Sequence, residues 1–125
     1  MVTVREFKFR VWDKKDEIMY TENALDLLIH FNGGLNGFDG ETGEIVGTEY
    51  IGKMELMQYT GIKDKNGVEI YEGDIIRTGN YIGRVFYRYD MCQFLVTNNK
   101  STDYDWYYEE REIIGNIYQN PELLE

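Results

Sequence analysis

Ser101, His30 and Cys92 are the sole serine, histidine and cysteine of a 125-residue chain. Nucleophilic catalysis by serine or cysteine needs a base within hydrogen-bond reach and a third group to orient that base. Here that chemistry would require single copies, far apart in sequence, to converge. Cys92 opens an apolar, strand-like run, Cys92-Gln93-Phe94-Leu95-Val96, and reads as a small buried hydrophobe. His30 sits in the apolar run 27–31 and reads as a core or rim residue. A closed zinc site takes four Cys or His ligands, and the chain has two.

Carboxylates are the remaining metal donors. Asp39, Glu41 and Glu44 cluster in a glycine-rich stretch, and Asp64 and Asn66 precede Gly67. The second group superficially resembles a calcium loop. Aligned on Gly67, however, the first ligand position falls on Ile62 and the final glutamate position on Gly73, so the pattern fails. The glycines at 34, 37 and 40 match neither a dinucleotide fingerprint nor a phosphate loop with its lysine. The residues therefore predict no catalytic set, no cofactor and no metal site, and the chain reads as a non-enzyme.

Two features offer binding instead. Tyr104-Asp105-Trp106-Tyr107-Tyr108-Glu109-Glu110 concentrates aromatic rings beside acids. Tyr104, Trp106 and Tyr108 either fill a core face or, with Glu109, Glu110 and Glu112, form an interaction surface, since dense aromatics anchor partners. The second feature is charge. The formal net charge is -10. Residues 1–17 carry five bases against four acids, while residues 103–125 carry seven acids against Arg111 alone. Such a balance repels phosphate backbones and anionic lipid. Nucleic acid and membrane are therefore not expected partners. The acidic third reads as a solvated face or as a mimic of nucleic acid aimed at a DNA-binding protein.

The elements that must carry these residues are strands. Tyrosine and phenylalanine abound, Ala24 is the only alanine and Pro121 the only proline, which favours pleated surfaces over helices. Residues 7–12 alternate, with Phe7, Phe9 and Val11 on one face and Lys8 and Arg10 on the other. A turn at 13–16 returns the chain into Ile18-Met19-Tyr20. Residues 24–31 are ambiguous between a short helix and a strand, with the strand placed at 27–31. Residues 32–49 read as a long mobile loop or a weak hairpin turning at Gly40–Gly43. Strands follow at 54–60, 68–71 and from Ile75, with an Asn66-Gly67 hairpin turn in which both residues take positive φ. Further strands are expected at 83–89, 92–96, 104–108 and 113–118, and a one-turn helix capped by Asn120 at the end. On 83–89, Val85, Tyr87 and Tyr89 share a face. Strands at this spacing without long helices predict a mainly β fold, an antiparallel meander closing into a barrel-like form.

At this length one domain over 1–125 is expected. The N-terminal stretch has no signal-like apolar run, and the longest elsewhere is Leu27-Leu28-Ile29, so the cytoplasm is the expected location. A lone cysteine suits a reducing compartment.

Three blocks together resemble the YopX family of small phage- and prophage-encoded proteins. They are FKFRVWDKKDEIMY at 7–20, ELMQYTGIKDKNGVEIYEGDIIR at 55–77 and IIGNIYQNPELLE at 113–125. The resemblance implies a mainly β, YopX-like domain in the cytoplasm of a bacterial host. It carries no defining activity and no catalytic residues. Residues 32–49 and 78–105 fall outside the blocks. With the residue-level reading, it points to a non-enzymatic accessory protein that binds a host or phage protein, or a second copy of itself. The alternatives are an acidic nucleic-acid mimic, a small β-barrel that binds nucleic acid, and an enzyme working through carboxylates and tyrosines.

Overall fold

The computed structural model describes residues 6–21, 26–29, 35–38, 45–46 and 54–125. His30, Asp39, Glu41, Glu44 and most of the 32–49 stretch lie outside them. The chain divides into two compact units, residues 9–56 and residues 1–8 with 57–125.

In the first unit, β1 (Phe9–Asp13) pairs antiparallel with β2 (Ile18–Tyr20), Trp12 opposite Met19. The expected hairpin is present, and a buried carboxylate shapes its turn. Asp13 Oδ1 accepts from the backbone N–H groups of Lys15 and Asp16, at 2.9 and 3.1 Å. The expected alternation of faces does not hold. Arg10, Val11, Trp12 and Asp13 are all buried, while Phe7 lies outside the strand and is 66% exposed. A strand covered on both faces shows no polar side, whatever its sequence period. Beyond it, β3 (Asp26–Ile29), β4 (Leu35–Phe38) and β5 (Ile45–Val46) form an antiparallel sheet. The strand within 27–31 is therefore present but starts at Asp26. β4 pairs antiparallel with β5, Phe38 opposite Ile45, and the expected turn at Gly40–Gly43 lies outside the described residues. The strand β6 (Met54–Lys63) begins in this unit and continues into the second.

The second unit is built on a five-stranded antiparallel sheet. Its strands are β8 (Asp74–Thr78), β9 (Tyr81–Arg88), β10 (Gln93–Thr97), β11 (Thr102–Asp103) and β12 (Arg111–Asn116), in the order β11-β10-β9-β8-β12. Four consecutive strands form the expected meander, and β12 returns to the far side of β8. β6 carries β7 (Glu69–Tyr71) beside it. The fold is mainly β, with antiparallel sheets, one of them curled like half a barrel. No helix among the described residues is long and apolar enough to cross a membrane.

Ile70, Ile76, Val85, Val96 and Trp106 form the core cluster, with Ile62, Tyr81, Phe94 and Ile113 packed against it. Each fully buried aliphatic contributes roughly 1.5–3 kcal/mol by leaving water. Where β9 crosses β10, there is no room for a side chain at Gly83. A Cβ there would stand 2.7 Å from the Thr97 carbonyl oxygen and 2.8 Å from Val96 Cγ1. Because the nearer obstacle is backbone, Gly83→Ala is expected to cost about 2 kcal/mol. A lowered urea midpoint with an unchanged slope checks it, and a variant as stable as the parent contradicts the close approach.

Local details depart from the sequence expectations where side chains override propensity. The Asn66-Gly67 reversal places only Gly67 at positive φ (81°). The Gly67 N–H bonds to the Asp64 carbonyl at 3.0 Å and the Asp64 N–H to the Val68 carbonyl at 2.8 Å. The loop is therefore wider than a two-residue turn and is organised by Asp64. The terminal helix is a 3-10 turn, Pro121–Leu124, packed against β9. Asn120 does not cap it; its side-chain oxygen accepts from the Asn116 N–H at 3.2 Å.

Candidate functional site

Residues 104–108, expected as a strand, instead form a bend and a 3-10 turn, Trp106–Tyr108. Trp106 causes the departure. β11 pairs with β10 only at Val96 and Thr97, so the start of β10 is an open edge. The indole N–H of Trp106 donates to the Phe94 carbonyl at 2.9 Å and plugs that edge. An exposed edge is a hazard that proteins cover, and here one side chain covers it while entering the core at 1% exposure.

Arg111 holds the turn in place. Its Nη1 donates to the carbonyls of Tyr107 (2.9 Å) and Glu109 (3.3 Å), and its Nε donates to the carbonyl of Lys63 (3.1 Å). The guanidinium also lies 6.0 Å from the Trp106 ring centre. Such a planar donor fork is suited to several fixed acceptors at once.

Across from this turn, the β9–β10 hairpin reverses over Tyr89–Cys92. Cys92 was expected inside the strand as a buried residue. It is exposed and sits at the end of the reversal with φ of 52°. The strand starts one residue later, at Gln93, because four residues are consumed in the turn. Of the residues expected to share a face, Val85 and Tyr87 do so, opposite Val96 and Phe94, whereas Tyr89 lies beyond the strand in the turn. Val85 is buried, but Tyr87 and Tyr89 are 44% and 84% exposed.

Between the two turns lies a groove of about 290 Å³. Thr60, Ile62, Tyr87, Cys92, Gln93, Phe94, Trp106 and Tyr107 line it. Tyr87 meets Phe94 edge-on at 5.0 Å, and Trp106 meets Tyr107 at 6.4 Å and 88°. Thr60 Oγ1 is committed to the Ile70 carbonyl at 2.8 Å. Arg88 joins the two turns on the outside, bonding Asp90 at 2.9 Å and the Tyr104 hydroxyl at 3.1 Å.

The structure therefore separates the residues proposed from sequence. Trp106 is core and groove floor. Tyr104 is 46% exposed and held by Arg88, and the Tyr108 side chain lies outside the described residues. Glu109, Glu110 and Glu112 line a second, charged depression with Lys65, Arg77 and Gly79. Glu112 is bridged by Lys65 at 3.0 Å and by Arg77 at 3.2 Å, and those bases hold its carboxyl below the ordinary glutamate range. Asp103 accepts from the Thr78 hydroxyl at 3.2 Å. The acids are thus partly neutralised locally. Tyr87, Cys92 and Gln93 were missed as site residues. Only a hairpin register would have placed them opposite Tyr107, and sequence spacing does not supply that register. Among the described residues no cluster of three or more metal-ligating side chains occurs.

This antiparallel, mainly β architecture defines the class. The chain matches the model of the YopX protein family over residues 8–125 and belongs to that family. It is similar to the crystal structure of protein EF1440 from Enterococcus faecalis, at 27% identity and a TM-score of 0.61, over 98% of this chain and all of that one. It is also similar to the crystal structure of YopX from Bacillus subtilis, at 28% identity and a TM-score of 0.56, over 94% of this chain and 97% of that one. No curated protein matches the chain.

Proposed function

We propose that this YopX-family chain is a non-enzymatic protein-interaction module. In the phage or prophage setting that the family resemblance implies, it acts in the host cytoplasm on a host or phage protein. The observation that carries this reading is the exposure of large apolar side chains on two neighbouring segments. Tyr87, Tyr89 and Met91 on one, and Tyr104 and Tyr107 on the other, are 39–84% exposed. Contiguous aromatic surface is characteristic of recognition sites, where tyrosine and methionine are enriched. The groove between these segments is lined, among the described residues, by no carboxylate, histidine or lysine. That lining suits binding better than acid–base chemistry.

Affinity capture from host lysate tests the reading. The full chain should retain a specific protein, and a bait carrying Tyr87→Ala and Tyr107→Ala should lose it while unfolding at the same temperature. A folded parent bait that retains nothing specific, or a double variant that retains the same protein equally well, overturns it.

A further inference from the structure

The groove's hydrogen-bond inventory and surrounding charge narrow what can enter it. Its volume, about 290 Å³, lies at the bottom of the range for small-molecule sites and seats one ring-sized group rather than a large cofactor. Its walls present ring faces and edges in the tilted arrangements that aromatic groups favour. The Trp106 N–H and the Thr60 hydroxyl are already spent on backbone carbonyls. The Gln93 amide and the Tyr87 hydroxyl line the groove and have no hydrogen-bond partner among the described residues. An amide offers both a donor and an acceptor, the complement of a peptide backbone.

Charge supplies the remaining constraint. The two wall segments, with the Arg111 that holds the second of them, carry Asp90, Asp105, Glu109 and Glu110 against two bases, Arg88 and Arg111. All four acids are exposed; Asp90 is paired with Arg88, and Glu109 and Glu110 border the neighbouring depression with Lys65 and Arg77. Glu110 approaches Lys65 only at 4.0 Å with its side chain 78% exposed. A cationic ligand is drawn to such a rim and an anionic one repelled.

We infer that the groove between the β9–β10 turn and the Trp106–Tyr108 turn seats one aromatic side chain of a basic peptide segment in a partner protein. The ring would lie among Tyr87, Phe94 and Tyr107 over the Trp106 floor. The peptide backbone would pair with the Gln93 amide, and flanking lysines or arginines would face Asp105 and Glu109. This rests on the interaction-module reading and adds the chemistry of the segment recognised.

Cys92 is the chain's only thiol, is exposed and lines the groove, so its alkylation rate reports occupancy. The probe is the capped peptide Lys-Lys-Trp-Lys-Lys, titrated into the full chain with iodoacetamide. At saturation it should slow alkylation about five-fold or more, and Tyr107→Ala should raise the half-saturating concentration about ten-fold. Gln93→Ala should weaken binding about three-fold. Asp105→Asn with Glu109→Gln should weaken binding and flatten its salt dependence. Equal protection by Lys-Lys-Ala-Lys-Lys or by Glu-Glu-Trp-Glu-Glu overturns the inference, as does no protection by any peptide. Protection that grows with protein concentration alone assigns the groove to a second copy of the chain and also overturns it. If the peptides fail while lysate capture still depends on Tyr87 and Tyr107, the broader reading stands without this one. If the peptides protect but capture returns nothing specific, the broader reading falls and this inference falls with it.

Discussion

Replacing Trp106 by alanine is expected to lower the unfolding free energy by about 3–5 kcal/mol, the range for deleting a large core aromatic. Three losses coincide at this residue. The ring is 1% exposed and belongs to the cluster of Ile70, Ile76, Val85 and Val96, so its removal leaves a cavity in the centre of the second unit. The indole N–H bond to Phe94 disappears, reopening the β10 edge. The Arg111 guanidinium loses the ring it lies 6.0 Å from. Total stabilities of small domains are about 5–15 kcal/mol, so the variant should sit near its folding threshold. Urea denaturation followed by far-ultraviolet circular dichroism measures the change. Trp106→Phe separates the contributions. It keeps most of the apolar volume and loses the hydrogen bond, so it should cost about 1–3 kcal/mol. A cost for Trp106→Ala below about 1 kcal/mol would show that the ring is not a core element.

Asp64→Ala is expected to cost about 3 kcal/mol, through backbone donors rather than apolar packing. The carboxylate is 7% exposed. Its Oδ1 accepts from the N–H groups of Asn66 and Val68, both at 2.9 Å, and its Oδ2 accepts from the N–H of Ile113 at 3.1 Å. One side chain thus shapes the β6–β7 turn and ties it to β12, across 49 residues of sequence. The Lys65 N–H bond to the Arg111 carbonyl, 2.9 Å, and the Arg111 bond to the Lys63 carbonyl run beside it. Alanine leaves three donors without their acceptor. Loosening this junction should also loosen Arg111 and, through it, the turn that forms one wall of the groove.

The same residue predicts a pH dependence. Burial pushes the Asp64 carboxyl upward, but the N–H donors of Val68, Ile113 and Asn66, with the Lys65 charge, outweigh it and hold the group below its ordinary range. A carboxyl depressed in the folded state stabilises the fold above its unfolded value of about 3.9, and that contribution is lost as pH falls through the folded value. Glu72 works in the opposite sense. Its burial outweighs the Gln58 N–H it accepts from and raises its carboxyl. The parent's stability alone therefore mixes both groups, whereas the difference between the parent and Asp64→Ala isolates Asp64. That difference should be constant from neutral pH down to about 4 and shrink below it. A difference that stays flat into acid would contradict the charge-assisted role.

Much of the second unit was legible in the residues. Alternating apolar positions and paired turn residues located the start of β6, and β7 to β10 and β12 to within a residue or two, because strands and reversals are local and their signals lie within a few positions; β6 runs three residues past its expected end, to Lys63. Two of the three family blocks lie largely on the same ground, and 55–77 spans the hairpin that Asp64 organises. The candidate site was legible only in part. Tyr104, Trp106 and Tyr108 stood out by density, but period-2 reasoning made them one strand, whereas an indole bond to a neighbouring edge turns that segment into a 3-10 turn. Cys92 has no glycine or asparagine signal to mark its left-handed conformation, and its exposure follows from the length of the hairpin loop. Arg10 carries the charge of a surface residue and is buried.

By itself, then, the amino-acid sequence determined the mainly β class, the principal hairpins, the family and the single copies of serine, histidine and cysteine. Those are properties of composition, short-range pattern and direct likeness. Only the tertiary structure decided that Trp106 plugs an edge, that Glu112 is neutralised by Lys65 and Arg77, and that Tyr87 and Gln93 face Tyr107 across a groove. These depend on which strand edges remain unpaired and how distant turns register, and those are settled by contacts between residues far apart in the chain.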